Sequence, residues 1–447
     1  MPLINTGQIV LDRVRRRLPS AVGDVFLVHS RHRSAEWSEG KPENRINAVT
    51  HGMGVRVIDG GRPGFSHTNR WDNAALDEAV EKALASSRST AVDPYADVPL
   101  PSESGAGDLD LVDGSLVSSG WDTRAGFLGG LESEAKKQDK RIAKILRGSY
   151  SEAQSDVAVV NTRGIAREYS GTSVGFSMAC VAVDQAETQI GYAFQAVTHY
   201  SALDIPWVIR KAVEHTVSLL GGRRIPSGRY DLVLDPFVGA EMLELLAAAL
   251  RADRVQKGRS FLGDKIGSKI GSPVLKIVDN GLLRRGLGSA PVDAEGLPAR
   301  ETILIENGML KNFLYDSYTA RKAGHNSTGN AGRSSYKALP GPEPTNFYLE
   351  PGMRSPEDLL RQVKSGIYVR SVMGLHTVDT VSGDFSLGLM GERIENGAKT
   401  HGVRGVTMAG NVLELLKNIE ALGSDLTFSG SVGSPTIWVR DISVGGA

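Results

Sequence analysis

The sequence predicts an α+β fold in which helices and mainly antiparallel strands mix without regular βαβ alternation. Two observations carry that prediction. Asn307-Gly308 and Asn396-Gly397 each join apolar-rich runs, the strongest short-range signal for a tight antiparallel hairpin. Amphipathic helical patterns occur along the chain, but strand-like runs follow one another between them instead of alternating with them. The length of 447 residues corresponds to about three domains. The expected divisions are 1–100 (α+β), 115–222 (α+β) and 228–447 (β-rich).

The first segment opens with an amphipathic helix, followed by strands at 25–29 and 49–58 and a helix at 72–86. Between 89 and 110 the chain fills with Ser, Pro, Asp and Gly, as a linker does. The second segment should start with a Glu- and Lys-rich helix over 123–141. Strands at 156–160, 174–183 and 189–197 follow, with a turn at Asn161-Thr162-Arg163-Gly164 between the first two. A helix at 205–220 stops at Gly221-Gly222. In the third segment, 231–234 is a short buried strand. Asp235 is placed to cap, and Pro236 to open, a helix running to about 251. Strands are expected at 302–306 and 309–316, a helix at 411–422 closed by Gly423, and a last strand at 436–439. Both Asn-Gly turns carry the tetrapeptide Ile-Glu-Asn-Gly, which is too short to establish a duplication.

Lys+Arg and Asp+Glu balance at 51 each, which argues against bulk electrostatic attraction to nucleic acid or membrane. No apolar run is long enough to span a bilayer, and the first helix lacks the apolar stretch of a signal peptide, so a cytoplasmic location of bacterial type is expected. The single cysteine, Cys180, reads as a small buried residue.

The densest cluster of unusual residues lies between 284 and 333. It contains Gly286-Leu287-Gly288-Ser289, Asp293-Ala294-Glu295-Gly296, Asp316-Ser317-Tyr318 with Arg321-Lys322, and Ser327-Thr328-Gly329-Asn330-Ala331-Gly332. Earlier in the chain stand Gly52-Met53-Gly54-Val55-Arg56-Val57-Ile58 and Gly64-Phe65-Ser66. Later come Gly383-Asp384-Phe385-Ser386 and Ala409-Gly410-Asn411. In this order the motifs resemble the TldD/PmbA family of bacterial peptidase-related proteins, and within it the PmbA/TldE-like branch that lacks the metal motif.

The resemblance implies where chemistry should sit. The family's active branch carries HExxxH on the helix that starts here near Phe237. Laid on Leu243-Glu244-Leu245-Leu246-Ala247-Ala248, that motif puts its two histidines on Leu243 and Ala248 and keeps only Glu244. The third ligand, a cysteine, would fall within 423–434, which contains none. Hydrocarbon side chains have no lone pair for a cation, and serine hydroxyls are poor zinc ligands. No two of the nine histidines have i,i+4 spacing. His29 and His32, three apart on a strand, face opposite ways. Walker-A, GxGxxG and GxSxG motifs are absent. Ser317 and Ser327 remain as serines of interest, and Arg284, Arg285, Arg321, Lys322 and Arg333 cluster positive charge near the loops.

The expectation is therefore a chain with no metal and no cofactor of its own and no catalytic residues. It would pair with a TldD-like, HExxxH-bearing subunit that supplies zinc, and the pair would process unfolded or ribosomally made, modified peptides, including leader removal. Arg321, Ser327, Thr328, Gly329, Asn330 and Gly332 are the candidate substrate- or partner-binding residues, since small-residue loops let another backbone approach closely. Two alternatives stay open: an independently active metallopeptidase with rebuilt ligands, and a homodimeric peptide-binding or regulatory protein.

Overall fold

Long strands build the N-terminal half. In the computed structural model, which describes residues 2–103, 107–118 and 120–446, helix α1 (Leu3–Arg17) precedes β1 (Val22–Ser38), β2 (Lys41–Asp59) and β3 (Arg62–Thr68). Helix α2 (Asn73–Arg88) follows, capped by the Asp72 side chain on the Ala75 N–H. Short helices α3 (Gly114–Val117), α4 (Trp121–Ala125) and α5 (Leu131–Gln138) lead into β4 (Ile142–Asn161), β5 (Ala166–Asp184), β6 (Glu187–Val197) and helix α6 (Ile205–Val217). The six strands form one antiparallel sheet in the order β3-β2-β1-β4-β5-β6. Segments 1–100 and 115–222 thus share a sheet while keeping two cores. One core packs α1 and α2 on one end of the long strands, and the other packs α4 to α6 on the opposite end.

The expected strands at 25–29, 49–58 and 156–160 are the apolar stretches of much longer elements. Their extensions alternate Arg, His, Glu and Ser with small residues and carry little apolar signal, yet β1 pairs with β4 from Asp24 to Trp37. The helix expected over 123–141 is broken. Gly126, Gly129 and Gly130 lower helix propensity, and the chain tightens into a 3₁₀ turn over Gly126–Gly130 before α5 begins.

The C-terminal half runs β7 (Gly228–Leu234), α7 (Pro236–Ala249), α8 (Ala252–Gln256), β8 (Lys276–Asn280), β9 (Glu301–Glu306), β10 (Met309–Leu310) and α9 (Ser317–Ala323). It continues with β11 (Ala331–Gly332), β12 (Gly341–Pro342), β13 (Phe347–Leu349), α10 (Pro356–Gln362), β14 (Ser365–Met373), β15 (Asp384–Glu395) and β16 (Ala398–Asn411). The last elements are α11 (Val412–Lys417), β17 (Ile419–Leu422), β18 (Thr427–Ser429), β19 (Val432–Ser434) and β20 (Ile437–Gly445). One sheet has the order β10-β9-β8-β13-β19-β18. A second has the order β16-β15-β14-β7-β20-β17 and closes on itself through β16–β20 pairing, which makes it a barrel. Most pairs are antiparallel; β7–β14 and β13–β19 are parallel.

Both Asn-Gly turns form as read, with left-handed φ of 51° and 76° at Asn307 and Gly308, and 50° and 80° at Asn396 and Gly397. The strand expected over 309–316 ends at Leu310, because Leu314 turns away to hydrogen-bond Leu250 at the end of α7. The helix expected over 411–422 stops at Lys417. Ile419 and Leu422 are buried on β17, whose pairing with β20 overrides the helical pattern. Among the described residues no helix is long and apolar enough to cross a membrane.

Candidate functional site

Helix α7 starts where its residues dictate. The Asp235 carboxylate accepts from the Phe237 N–H, and Pro236 occupies the first turn. Leu243, Leu246, Ala247 and Leu250 are buried in the core shared with the barrel. Phe237, Glu241, Glu244 and Ala248, spaced i, i+4, i+7 and i+11, fall on a different face. Strands β18 and β19, within the 423–434 segment, lie along the same helix. They come so close that a Cβ on Gly239 would sit 2.2 Å from the Ser434 Oγ. Part of the 423–434 segment therefore packs along the motif helix, but the chemistry of the residues there does not fit a zinc ion. Leu243 is core, Ala248 is a methyl group, and the buried Ser434 hydroxyl donates to the Pro435 carbonyl at 2.9 Å. Among the described residues, no three His, Cys, Asp or Glu side chains converge in a ligating arrangement. Glu244 opens to solvent, and its partly apolar surroundings push its carboxyl above the ordinary range.

The start of α7 is tied to β14, β15 and α6 by a buried charge network. Arg370 donates to Glu214 (2.6 Å), Glu392 (2.9 Å) and Asp235 (3.2 Å), and the Tyr368 hydroxyl also reaches Asp235 (3.1 Å). Burial alone would raise the Asp235 pKa, but His215 beside it and the Arg370 guanidinium hold it well below the usual carboxylate range. Between α6, α7, β6 and β14 lies a cavity of about 60 Å³. His215 lines it, with Nδ1 3.1 Å from the Tyr192 carbonyl and Nε2 buried without a hydrogen-bond partner. No spacing rule marks this histidine in the sequence, because its neighbours across the cavity come from other elements.

The motif-rich loops lie elsewhere, at a seam between the first sheet and the C-terminal half. Arg56 on β2 binds Asp24 and Glu295 (3.0 Å), and Arg333 binds Asp24 from the other side at 2.8 Å. Glu295 also accepts from the N–H and hydroxyl of Ser317 at 2.9 and 2.7 Å. Gly52 and Gly54 leave room for Tyr336: a Cβ on either would approach its ring or its carbonyl oxygen to 2.4 Å. The Tyr318 hydroxyl donates to Asp93, while Arg321 donates to the carbonyls of Tyr95 and Asp97, both at 2.8 Å. Ser327 and Thr328 each donate to the Tyr315 carbonyl at 3.1 Å. Gly329 is left-handed (φ 72°) and faces the Pro298 carbonyl, Asn330 is buried against Asp279 at 2.6 Å, and Gly332 packs on the Glu343 side chain. Arg284 and Arg285 both pair with Asp110. The structure therefore engages these residues in contacts within the chain. Burial and the nearby Glu295 charge push Asp293 up to about 8 and Asp316 to about 6.

Comparison with known proteins fits this architecture. Residues 227–446 match the PmbA/TldA metallopeptidase C-terminal domain, 23–87 match domain 1, and 122–220 match the central domain. A protein from Methanothermobacter thermautotrophicus named metalloprotease is 32% identical, with 98% of each chain covered. The chain belongs to the PmbA/TldD metallopeptidase family. Metalloprotease PmbA of Escherichia coli O157:H7 is 28% identical over 91% of this chain and 88% of its own. A Thermotoga maritima structure provisionally described as a modulator of a DNA gyrase superposes with a TM-score of 0.90 at 26% identity, covering 98% of this chain and all of its own. TldE from Thermococcus kodakarensis shares the fold, with a TM-score of 0.87 at 21% identity over 99% of both chains.

Proposed function

We propose that this chain is a non-catalytic, PmbA/TldE-like subunit of a TldD/TldE-type zinc metallopeptidase complex acting on unfolded or ribosomally made, modified peptides in the cytoplasm. The observation that carries the reading is the composition of α7: its motif positions are Leu243 and Ala248, and among the described residues no third His, Cys, Asp or Glu joins Glu241 and Glu244 to hold a cation. Zinc and the activated water would come from the HExxxH-bearing partner, where a bound metal lowers the pKa of water and polarises the scissile carbonyl.

A role in holding peptide has support in the first sheet. β2 is paired with β1 from Lys41 to Ile58, but β3 covers it only from Met53 onward, so residues 41–50 form a largely exposed edge. An extended chain can add to such an edge through backbone hydrogen bonds regardless of its side chains. Co-expression with a family member carrying HExxxH, followed by cleavage of a flexible peptide, tests the proposal. Cleavage should need both chains and should vanish when the partner's motif glutamate is changed to glutamine. Cleavage by this chain alone, with contaminating protease excluded, overturns it and favours the second reading, an independently active enzyme. That reading rests on the name metalloprotease carried by the 32% identical relative.

A further inference from the structure

Another cavity opens at the seam between the two halves. It measures about 350 Å³, within the range of about 300–1,000 Å³ usual for small-molecule sites. Ile58 and Pro63 line it from the first half, and Leu339, Pro340 and Pro342 from the second. Its charges balance: Arg56, Lys257, Arg321 and Lys322 stand against Asp93, Asp97, Asp253 and Asp316.

Most of these charges are already answered. Arg56 binds Asp24 and Glu295, Asp97 binds Arg163, and Asp253 binds Arg251 and Lys257. Asp93 accepts from the Tyr95 N–H on one oxygen and from the Tyr318 hydroxyl on the other. Lys322 is exposed to water. Asp316 and Arg321 differ. Asp316 is only 2% exposed, and one of its carboxylate oxygens accepts from both the N–H and the hydroxyl of Thr319. The other oxygen has no hydrogen-bond or ion-pair partner among the described residues. Half-buried Arg321 donates through Nε and Nη2 to the Tyr95 and Asp97 carbonyls, which leaves Nη1 unused. It makes no ion pair among the described residues, although the Asp316 charge is felt there. Burial raises the Asp316 pKa and lowers that of Arg321, as it does for charges that lack a counter-ion.

We infer that this cavity binds a small zwitterion, with an ammonium group and a carboxylate on one aliphatic body. The ammonium donates to the open Asp316 oxygen, the carboxylate accepts from the Arg321 Nη1, and the body lies along Ile58, Pro63 and Leu339. A ligand of one sign only would answer one of the two side chains and leave the other buried without a counter-ion. Two natural sources share this chemistry, a free amino acid and a dipeptide. The inference does not depend on whether the chain works beside a zinc-bearing partner, and its test involves no cleavage.

The test is calorimetric titration of the full-length chain with L-leucine, for which saturable binding is expected. Leucine amide lacks the carboxylate and N-acetyl-leucine lacks the ammonium, so each should bind at least about tenfold more weakly. Asp316→Asn keeps a side chain that can cap α9. It should weaken L-leucine binding about tenfold and leave N-acetyl-leucine binding unchanged. Arg321→Gln should weaken L-leucine binding by a similar factor and leave leucine amide binding unchanged. If Asp316→Asn does not fold, the result for Arg321→Gln, at a half-exposed side chain, decides. Alanyl-leucine against L-leucine then identifies the source, the tighter binder being the natural one. No saturable heat with either L-leucine or alanyl-leucine, equal affinity for L-leucine and its two blocked derivatives, or full L-leucine affinity in Arg321→Gln overturns the assignment.

Discussion

The seam between the two halves and the cavity beside α7 are both polar and largely buried, yet they are built in opposite ways. At the seam, two arginines meet Asp24 and Glu295, serine and backbone donors add to them, glycines admit Tyr336, and the Arg333 Nε is left without a hydrogen-bond partner. At the cavity, the His215 Nε2 has no hydrogen-bond partner, and Glu241 and Glu244 make no ion pair among the described residues. A polar cluster whose charges are paired holds a structure together. One that leaves charges unpaired is available to something else. In this chain the motif-rich loops carry most of the paired charge, while unpaired carboxylates lie on a helix that looks plain in sequence.

Several experiments can break or sharpen that contrast. The largest effect is expected from protons. Asp293 and Asp316 have folded pKa values of about 8 and about 6, above the ordinary carboxylate value of about 4. A raised carboxyl contributes stability that is full below the unfolded pKa and is lost as pH rises to the folded one. Stability measured by urea unfolding should therefore fall between about pH 4 and pH 8. Asp293→Asn should flatten the portion above pH 6 and leave the Asp316 portion below it. A flat wild-type profile would show that the seam carboxyls are not held protonated.

Next comes the ion cluster itself. Arg56→Met removes the ion-pair partner of Glu295 and leaves Asp24 with Arg333 alone, and should cost about 3–5 kcal/mol of unfolding free energy. On α7, Leu243→Ala should cost about 2–5 kcal/mol as a core deletion. Glycine replacements should be milder, about 1–3 kcal/mol for Gly54→Ala. Tyr336→Ala should rescue Gly52→Ala, which meets the ring, but not Gly54→Ala, which meets the backbone oxygen. Smallest of all, Glu244→Ala should stay within about 0.5 kcal/mol, because its side chain faces solvent.

Much of the fold was legible locally. The Asp235-Pro236 start of α7, the Asp72 cap of α2 and both Asn-Gly turns are decided by residues a few positions apart, so sequence is enough to read them. The long strands were not, because the extensions of β1, β2 and β4 are half-exposed and their side chains carry no alternating apolar signal. Barrel closure by β16 and β20 is likewise set by pairing across distant segments. The motif positions on α7 fall on a helix that the sequence placed correctly, because its Asp235-Pro236 start is a local signal. The contacts of Arg321 and Asn330 could not be read, because their partners Tyr95, Asp97 and Asp279 are distant in the chain. His215 was passed over for the same reason.

The central claim is that α7 cannot retain a catalytic cation. Metal analysis of the purified chain after dialysis against excess zinc, alongside Glu244→Gln, tests it most directly. No stoichiometric zinc is expected in either protein. One tightly held zinc per chain, released by the Glu244 substitution, would contradict it.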